Sequence, residues 1–157
     1  MSISRFILSL GFILFAAGAM AQDRPPYGQE IGVEQAKKIA AGAVAESKKN
    51  GWRMAIAIVD NHGFLVYYER MDDTQTGSVQ IALDKAKTAA MLRRPTKAIE
   101  DAIVKGRVVL MSIAPSPVEG GLPIMVGGKV IGGIGVSGAN SDQDAAAATA
   151  GLKAAGL

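Results

Sequence analysis

The chain has 157 residues, no cysteine, one histidine and a formal net charge of +3. Without cysteine it has no disulfide, thiolate metal site, iron–sulfur cluster or cysteine nucleophile, and with one histidine it lacks the several imidazoles of a usual catalytic zinc site. Its basic residues are scattered and aromatic residues make up only 5% of the chain. This argues against a nucleic-acid surface, because such surfaces combine basic clusters with stacking aromatics.

Residues 1–21 have the three parts of a secretory signal peptide. Arg5 is the positive start, Phe6 to Ala17 form an apolar run, and Ala19-Met20-Ala21 is a small-x-small cleavage site. The apolar run is short for a membrane span, and the alternative is an uncleaved N-terminal anchor. We expect cleavage after Ala21 and a periplasmic or secreted mature protein with no stable membrane span.

The residues after the signal peptide predict an arm over 22–32 and one domain over 33–157. Apolar periodicity and stop signals predict helices at 33–49, 78–94, 96–105 and 142–155. Apolar or alternating runs predict strands at 52–59, 64–70, 108–113, 122–126 and 129–136. Because most strands come in hairpins and helices separate the hairpins, we expect an α+β fold with a five-stranded, mostly antiparallel sheet.

A glycine-rich stretch precedes the last predicted helix. Gly133 to Gly138 satisfies the G-x-G-x-x-G pattern of dinucleotide-binding loops. Gly127-Gly128, however, suits the two-residue turn of a hairpin, so the stretch is better interpreted as two strands than as a phosphate loop. Ser141 and Asp144 have capping-box spacing at the start of the next helix, whose alanine-rich surface suits close packing on a sheet or a partner subunit.

Six short motifs resemble, in their order and spacing, the GlcG/HbpS family. This is the haem-degrading domain family that includes the C-terminal module of PduO-type proteins, and the resemblance covers roughly residues 31–157. It departs from the family where Asp73 follows Asp72, since a small residue often stands there. The motifs are Trp52–Gly63, Arg70–Asp72, Ala82–Ala89, Gly120–Ile124, Gly132–Gly138 and Gln143-Asp144.

The resemblance implies a profilin-like or PAS-like antiparallel sheet of five strands with helices on both sides, often in homo-oligomers. It also implies binding of a tetrapyrrole, with haem placed before a corrinoid. Some exported members of this family act with a sensor kinase, and haem breakdown has been proposed for the family. Other members sit beside glycolate or diol metabolism, so the resemblance leaves open whether the protein is an enzyme.

Four candidate site residues lie in or near the first predicted hairpin. His62 is the only imidazole that could bind haem iron or a metal ion, and the alternative is an exposed turn residue. Met71 is the fallback as an axial ligand. Arg70 could pair with a carboxylate or haem propionate, or Arg70 and Asp72 could pair with each other and hold the loop.

The other candidates lie on the second predicted helix and around the last hairpin. Lys85 and Thr88 share a helix face and could form the polar lip of a binding site. The alternative is that Lys85 extends to solvent and Thr88 bonds back to its own helix. Around the hairpin, glycine would let the backbone approach a flat ligand or another subunit, and the alternative is plain turn geometry. These residues are Gly120, Gly121, Pro123 and Ser137.

Three functions remain open at this point. The first is an exported, oligomeric ligand-binding protein that holds a haem-like tetrapyrrole against Arg70, Met71 and the Gly120–Pro123 loop. The second is a small auxiliary enzyme in hydroxy-acid or diol metabolism that uses Lys85, Arg70 or Asp72. The third is a structural module whose C-terminal helix packs between subunits.

Overall fold

The secondary structure comes from a computed structural model, which describes residues 24–157. The predicted signal peptide and its cleavage site lie outside the described residues. Among residues 24–157, none of the helices is both long and apolar enough to cross a membrane. The elements are α1 (Val33–Lys49), β1 (Ala55–Asp60), β2 (Leu65–Arg70), α2 (Ser78–Leu92), α3 (Thr96–Val104), a 3-10 helix (Val108–Ser112), β3 (Gly121–Val126), β4 (Lys129–Ser137) and α4 (Ser141–Ala154).

The strands form one antiparallel sheet in the order β2-β1-β4-β3. Ala55 pairs with Arg70 on one side and with Ser137 on the other. The end of the sheet where these residues lie is called here the Ser137 end. The opposite end, called the His62 end, holds the β1–β2 turn and the β3–β4 turn. Gly127 in the second turn has a φ of 54° and Gly128 a φ of 74°, as a type I′ turn requires, so the predicted hairpin is confirmed.

Helices cover both faces of the sheet. On one face, Ile56 and Ile58 of β1 lie in a core cluster with residues of α1 and α4. On the other face, the alternate residues of β1 pack on alanines of α2. Alternation along β1 therefore separates a large aliphatic core from a second contact made of small residues. The members of that second cluster are Ala55, Ala57, Val59, Ala82, Ala86 and Ala90.

The glycines of β4 explain how α2 lies so close to the sheet. A Cβ atom at Gly135 would lie 2.0 Å from the carbonyl oxygen of Ala82, and one at Gly133 would lie 2.4 Å from that of Ala86. Both distances are shorter than the contacts that a Cβ atom makes in real structures, so only glycine fits at these positions. The G-x-G pattern that resembles a nucleotide loop therefore serves close packing between helix and strand.

The predicted strand at 108–113 is wrong, and the sheet of the described residues has four strands, not five. The segment forms the 3-10 helix, in which the Leu110 N–H donates to the Arg107 carbonyl at 3.1 Å. Val108 and Val109 are 64% and 66% exposed, so consecutive side chains lack the alternation of buried and exposed positions in a strand. β-branched residues here favour a strand locally, but within residues 24–157 the segment pairs with none of the four strands.

The start of α4 also differs from the prediction. The Asn140 N–H donates to Gln143 Oε1 at 3.2 Å, and Ser141 is already helical. The predicted Ser141–Asp144 capping box is therefore wrong, and Asp144 is buried instead.

The small residues of α4 pack against α1 of the same chain. A Cβ atom at Gly42 of α1 would lie 2.5 Å from the Cβ of Ala154, and one at Gly151 of α4 would lie 2.6 Å from the carbonyl oxygen of Ile39. Ala147 is fully buried. The alanine-rich surface proposed for subunit contacts is thus used largely inside the chain.

Thr96 joins α3 to β3. Thr96 is the first residue of α3, and its buried Oγ1 accepts a hydrogen bond of 2.9 Å from the Gly121 N–H. We expect Thr96→Val to lower the free energy of unfolding by about 1–3 kcal/mol, because it leaves that N–H buried and unpaired. Urea unfolding measures the loss. Thr149→Val is the control, since Thr149 Oγ1 bonds only within its own helix, to Ala145; equal losses in both variants would contradict the prediction.

Candidate functional site

The structure places six of the predicted site residues in three separate locations. Arg70, Met71 and Asp72 line a cavity at the Ser137 end of the sheet. Lys85 and Ser137 line a second cavity at the same end. His62 lies alone among the predicted residues in the β1–β2 turn, at the opposite end.

The first cavity is polar and small. Its volume is about 220 Å³, below the roughly 300 Å³ at which pockets for small organic ligands begin. Three of its residues are cationic and two are acidic, so it suits a single carboxylate better than a large flat ligand. It is lined by Lys48, Arg53, Glu69, Arg70, Met71 and Asp72.

Met71 belongs to the core more than to this cavity. Its side chain is only 7% exposed and lies in the large aliphatic cluster, and its N–H donates to the Met54 carbonyl at 3.0 Å. The expectation of an accessible thioether ligand is therefore not met. Arg70 and Asp72 are both exposed, and among the described residues they form no ion pair with each other.

A buried ion pair stands beside the second cavity. Lys85 Nζ lies 2.7 Å from Asp144 Oδ2, and the two side chains are 2% and 3% exposed. The same ammonium donates to the Val136 carbonyl at 3.1 Å. Asp144 Oδ1 accepts from the Ala139 N–H at 3.2 Å. Burial raises the pKa of the Asp144 carboxyl above its ordinary value, and the hydrogen bond from Lys85 opposes that rise.

The pair connects helices on opposite faces of the sheet. Lys85 is on α2 and Asp144 is on α4, and they meet past the Ser137 end of β4. Gly120 makes room for them: it has a φ of 121°, and a Cβ atom there would lie 2.8 Å from both Lys85 Nζ and Asp144 Cβ. Glycine is therefore required at position 120, both for the backbone conformation and because a side chain there would clash with Lys85.

Sequence reasoning missed Asp144 as a site residue, although a signal was present. Asp144 shares a stripe of α4 with Ala147, Ala148 and Gly151, and all four are buried. This is the i, i+3, i+4, i+7 spacing of a core-facing stripe. A carboxylate on such a stripe needs a buried cation, and Lys85 supplies it.

The second cavity has a volume of about 320 Å³. Thr88 is not part of its lining. The buried Oγ1 of Thr88 accepts a hydrogen bond from the Ser116 N–H at 3.1 Å, and not one within its own helix. This bond holds the loop that forms the cavity wall. Gly121 and Pro123 lie in β3 outside the lining. The lining residues are Gln75, Ile81, Lys85, Ser116, Val118, Ser137, Ala139, Ser141 and Asp144.

His62 is an exposed imidazole that lies close to a carboxylate. Its side chain is 62% exposed, and Nδ1 lies 3.1 Å from Glu30 Oε1. Asp60 fixes the turn, since its Oδ1 accepts from the N–H groups of His62 at 2.8 Å and Phe64 at 2.9 Å. Donor atoms of Glu30, Asp60 and His62 lie within 4.8 Å of one another. Metal-binding histidines commonly have a carboxylate near one ring nitrogen, and with Glu30 beside Nδ1 the nitrogen available to a metal is Nε2.

Exposed apolar side chains accompany this imidazole. Phe64, two residues after His62, is 72% exposed, and Met91 of α2 is 50% exposed. Met91 reaches the turn, because its Sδ lies 3.1 Å from where a Cβ of Gly63 would be. The region around the β1–β2 turn that includes His62, Phe64 and Met91 is called here the His62 face.

Cationic groups lie at the edge of the His62 face. The Cγ atom of Lys87 is 3.7 Å from the same position over Gly63. Two residues beyond Met91, the Arg93 guanidinium stands 5.1 Å from the centre of the Tyr27 ring. Apolar side chains and two cationic residues therefore lie in the same part of the molecule as the imidazole.

His62 and Met71 cannot bind one iron atom from the same chain. The six residues of β1 span roughly 20 Å at about 3.3 Å each. His62 lies beyond one end of β1 and Met71 beyond the other, since Ala55 pairs with Arg70. The two candidate axial ligands therefore belong to separate sites.

Comparisons with known proteins agree with one another. Residues 31–153 match the family described as haem degrading protein HbpS-like. Protein GlcG of Escherichia coli K12 is 40% identical over 106 residues, which cover 66% of this chain and 78% of GlcG.

Solved structures give the same result. The structure of a double mutant of HbpS from Streptomyces reticuli is similar with a TM-score of 0.75 and 27% identity, covering 97% of each chain. That of PduOC in complex with haem has a TM-score of 0.74 and 25% identity, covering 80% of this chain and 94% of PduOC. This chain therefore belongs to the HbpS-like family.

Proposed function

We propose that this protein binds haem and that His62 supplies the ligand to the iron. The observation that carries the proposal is the exposed imidazole whose Nδ1 lies 3.1 Å from a Glu30 carboxylate oxygen. Histidine is the commonest protein ligand of haem iron in oxygen-binding and peroxidase-type proteins. Family membership supports haem as the ligand, because the similar PduOC was solved as a haem complex. For the same reason we propose haem and not a corrinoid.

The residues of the His62 face fit a porphyrin better than the first cavity does. Phe64 and Met91 are exposed apolar side chains near His62 that we propose for contact with the flat ring, and Lys87 and Arg93 are the nearby cations that we propose for the two propionates. The first cavity offers cations but only about 220 Å³, and its methionine is buried.

Bound haem would supply a redox-active iron atom, and His62 would be the residue that holds it. Glu30 would keep a carboxylate beside the imidazole, and Lys87 and Arg93 would pair with the propionates. Because the His62 face is open, a second copy of the chain is the partner we propose for the other side of the porphyrin. The expected homo-oligomer would then take part in haem binding, because a second subunit would contact the porphyrin.

Export and use of the haem belong to the same proposal. We propose that the protein acts in the periplasm or outside the cell, because residues 1–21 have the pattern of a signal peptide. Haem sensing with a kinase partner and haem breakdown stay predictions of the family resemblance.

Titration of the purified mature protein with hemin tests the proposal. We expect a saturable Soret shift that His62→Ala abolishes. Glu30→Ala should weaken binding by about tenfold, because partners that orient a metal-binding histidine typically contribute 10–100-fold. Metal-free protoporphyrin IX is the matched probe: its binding should be insensitive to His62→Ala, since it has no iron to coordinate.

Arg70→Ala and Met71→Leu are the matched control variants at the other end of the sheet, and both should leave the Soret shift intact. A shift that survives His62→Ala but is lost in Met71→Leu would move the site to the first cavity. The absence of any saturable shift with hemin would refute haem binding.

A further inference from the structure

The second cavity is a built site that haem binding at His62 does not use. It lies at the Ser137 end of the sheet, roughly the 20 Å length of β1 away from His62. Its volume of about 320 Å³ lies at the lower end of the range for pockets that hold small organic molecules. Its most deeply buried lining residues are a cation and an anion, Lys85 and Asp144. Buried charges at a concave site are a frequent mark of ligand binding.

Lys85 retains hydrogen-bonding capacity at this cavity. A lysine ammonium has three N–H donors. Within residues 24–157 the contacts account for two, to Asp144 Oδ2 at 2.7 Å and to the Val136 carbonyl at 3.1 Å. Because Lys85 is only 2% exposed and lines the cavity, an acceptor oxygen of a ligand is the expected partner of the third N–H donor.

The charge of the lining favours an uncharged ligand. Lys85 and Asp144 are the only ionisable residues among those that line the cavity in the described chain, and they neutralise each other. An anionic ligand at Lys85 would lie close to the Asp144 carboxylate, and a cation would lie close to the Lys85 ammonium. Either would bring an uncompensated charge into a site whose own charges are already paired. A neutral oxygen acceptor has no such cost.

The other lining residues give the cavity a polar side and an apolar side. The serines Ser116, Ser137 and Ser141 offer hydroxyl groups; the Ser137 hydroxyl donates to Ser78 Oγ at 3.2 Å, so towards a ligand it acts as an acceptor. Ile81 and Val118 offer apolar surface, and they are 40% and 42% exposed at the cavity mouth. A ligand of a few carbons with both oxygen atoms and a hydrocarbon part matches this lining.

We propose that the second cavity binds a small uncharged hydroxy-carbonyl compound. The carbonyl oxygen accepts from Lys85, the hydroxyl group bonds to the serine side, and the carbon skeleton packs on Ile81 and Val118. Asp144 acts as a positioning residue that holds the Lys85 ammonium. The proposal is independent of haem binding, because it rests on different residues at the other end of the sheet.

Hydroxyacetone is the probe, and lactate, which has the same number of carbons but carries a charge, is the matched comparator. In ¹H–¹⁵N correlation spectra of the haem-free protein, we expect saturable shifts of the Val118, Ser137 and Ala139 amides with hydroxyacetone. Lactate should give shifts at least tenfold weaker.

Two variants make the test specific without breaking the ion pair. Val118→Trp narrows the cavity mouth and should weaken hydroxyacetone binding at least tenfold. Ser137→Ala, which removes one hydroxyl, should weaken it severalfold. The control is Val126→Trp, because Val126 is 45% exposed and lies at the far end of β3; it should bind like the unmodified protein.

Three results would overturn the proposal: tighter binding of lactate than of hydroxyacetone, unchanged binding in Val118→Trp, or no saturable shift at these amides. A Soret titration of the same samples reports on His62 separately, so failure of one site is distinguishable from failure of the other.

Discussion

Gly135→Ala should lower the free energy of unfolding by about 3 kcal/mol or more, although it adds one methyl group to a strand. The new Cβ would lie 2.0 Å from the Ala82 carbonyl oxygen and 2.4 Å from the Ala86 backbone nitrogen. Both are backbone atoms of α2, so no rotamer change can relieve the clash. Overpacking a tight core costs typically 1–3 kcal/mol and occasionally more, and here the whole helix must move.

Urea unfolding followed by circular dichroism measures this loss. The control is Gly77→Ala, just before α2, where an added Cβ meets nothing within 4 Å and φ is −61°. That variant should be neutral or slightly stabilising, because alanine restricts the unfolded chain. Equal midpoints for the two variants would show that α2 does not press on β4 as described.

Breaking the Lys85–Asp144 pair should destabilise the protein by about 3–5 kcal/mol, whichever partner is removed. Lys85→Met leaves the Asp144 carboxylate buried without its cation, and Asp144→Leu leaves the ammonium buried without its anion. The double variant Lys85→Met/Asp144→Leu should recover most of the loss, since it leaves no uncompensated charge.

A double-mutant cycle by urea unfolding gives the coupling energy between the two side chains. The exposed pair of Lys97 and Asp101 on α3 is the control, and its removal should produce little change because solvent screens it. Additive losses in the Lys85–Asp144 cycle, with no recovery in the double variant, would contradict a buried pair. A large loss at Lys97 would point to general charge effects instead.

The sequence predicts most elements of this fold because their signals are local. The apolar spacing in α1 and α2 and the turn at Gly127-Gly128 depend on neighbours within a few positions, and each prediction is confirmed. The 108–113 segment has strand-forming residues, but whether they pair depends on a distant sheet edge. Local propensity alone cannot supply that information.

The site residues were harder to predict because they meet across long separations. Lys85 and Asp144 are 59 positions apart, and the contact exists only because α2 and α4 cover opposite faces of one sheet. Glu30 and His62 likewise depend on the path of the arm. The sequence could show that His62 is the only imidazole, but not that a carboxylate lies beside it.

The glycine and alanine contact between α2 and the sheet has a consequence for how the molecule moves. Neither residue has a side-chain rotamer, so ordering this contact costs no side-chain conformational entropy, and no rotamer change can absorb a displacement of the helix. Lys85 and Met91, six residues apart on α2, are about 9 Å apart along its axis. Thermal motion should therefore displace Lys85 and Met91 together, because α2 moves as a rigid helix that extends from the buried ion pair to the His62 face.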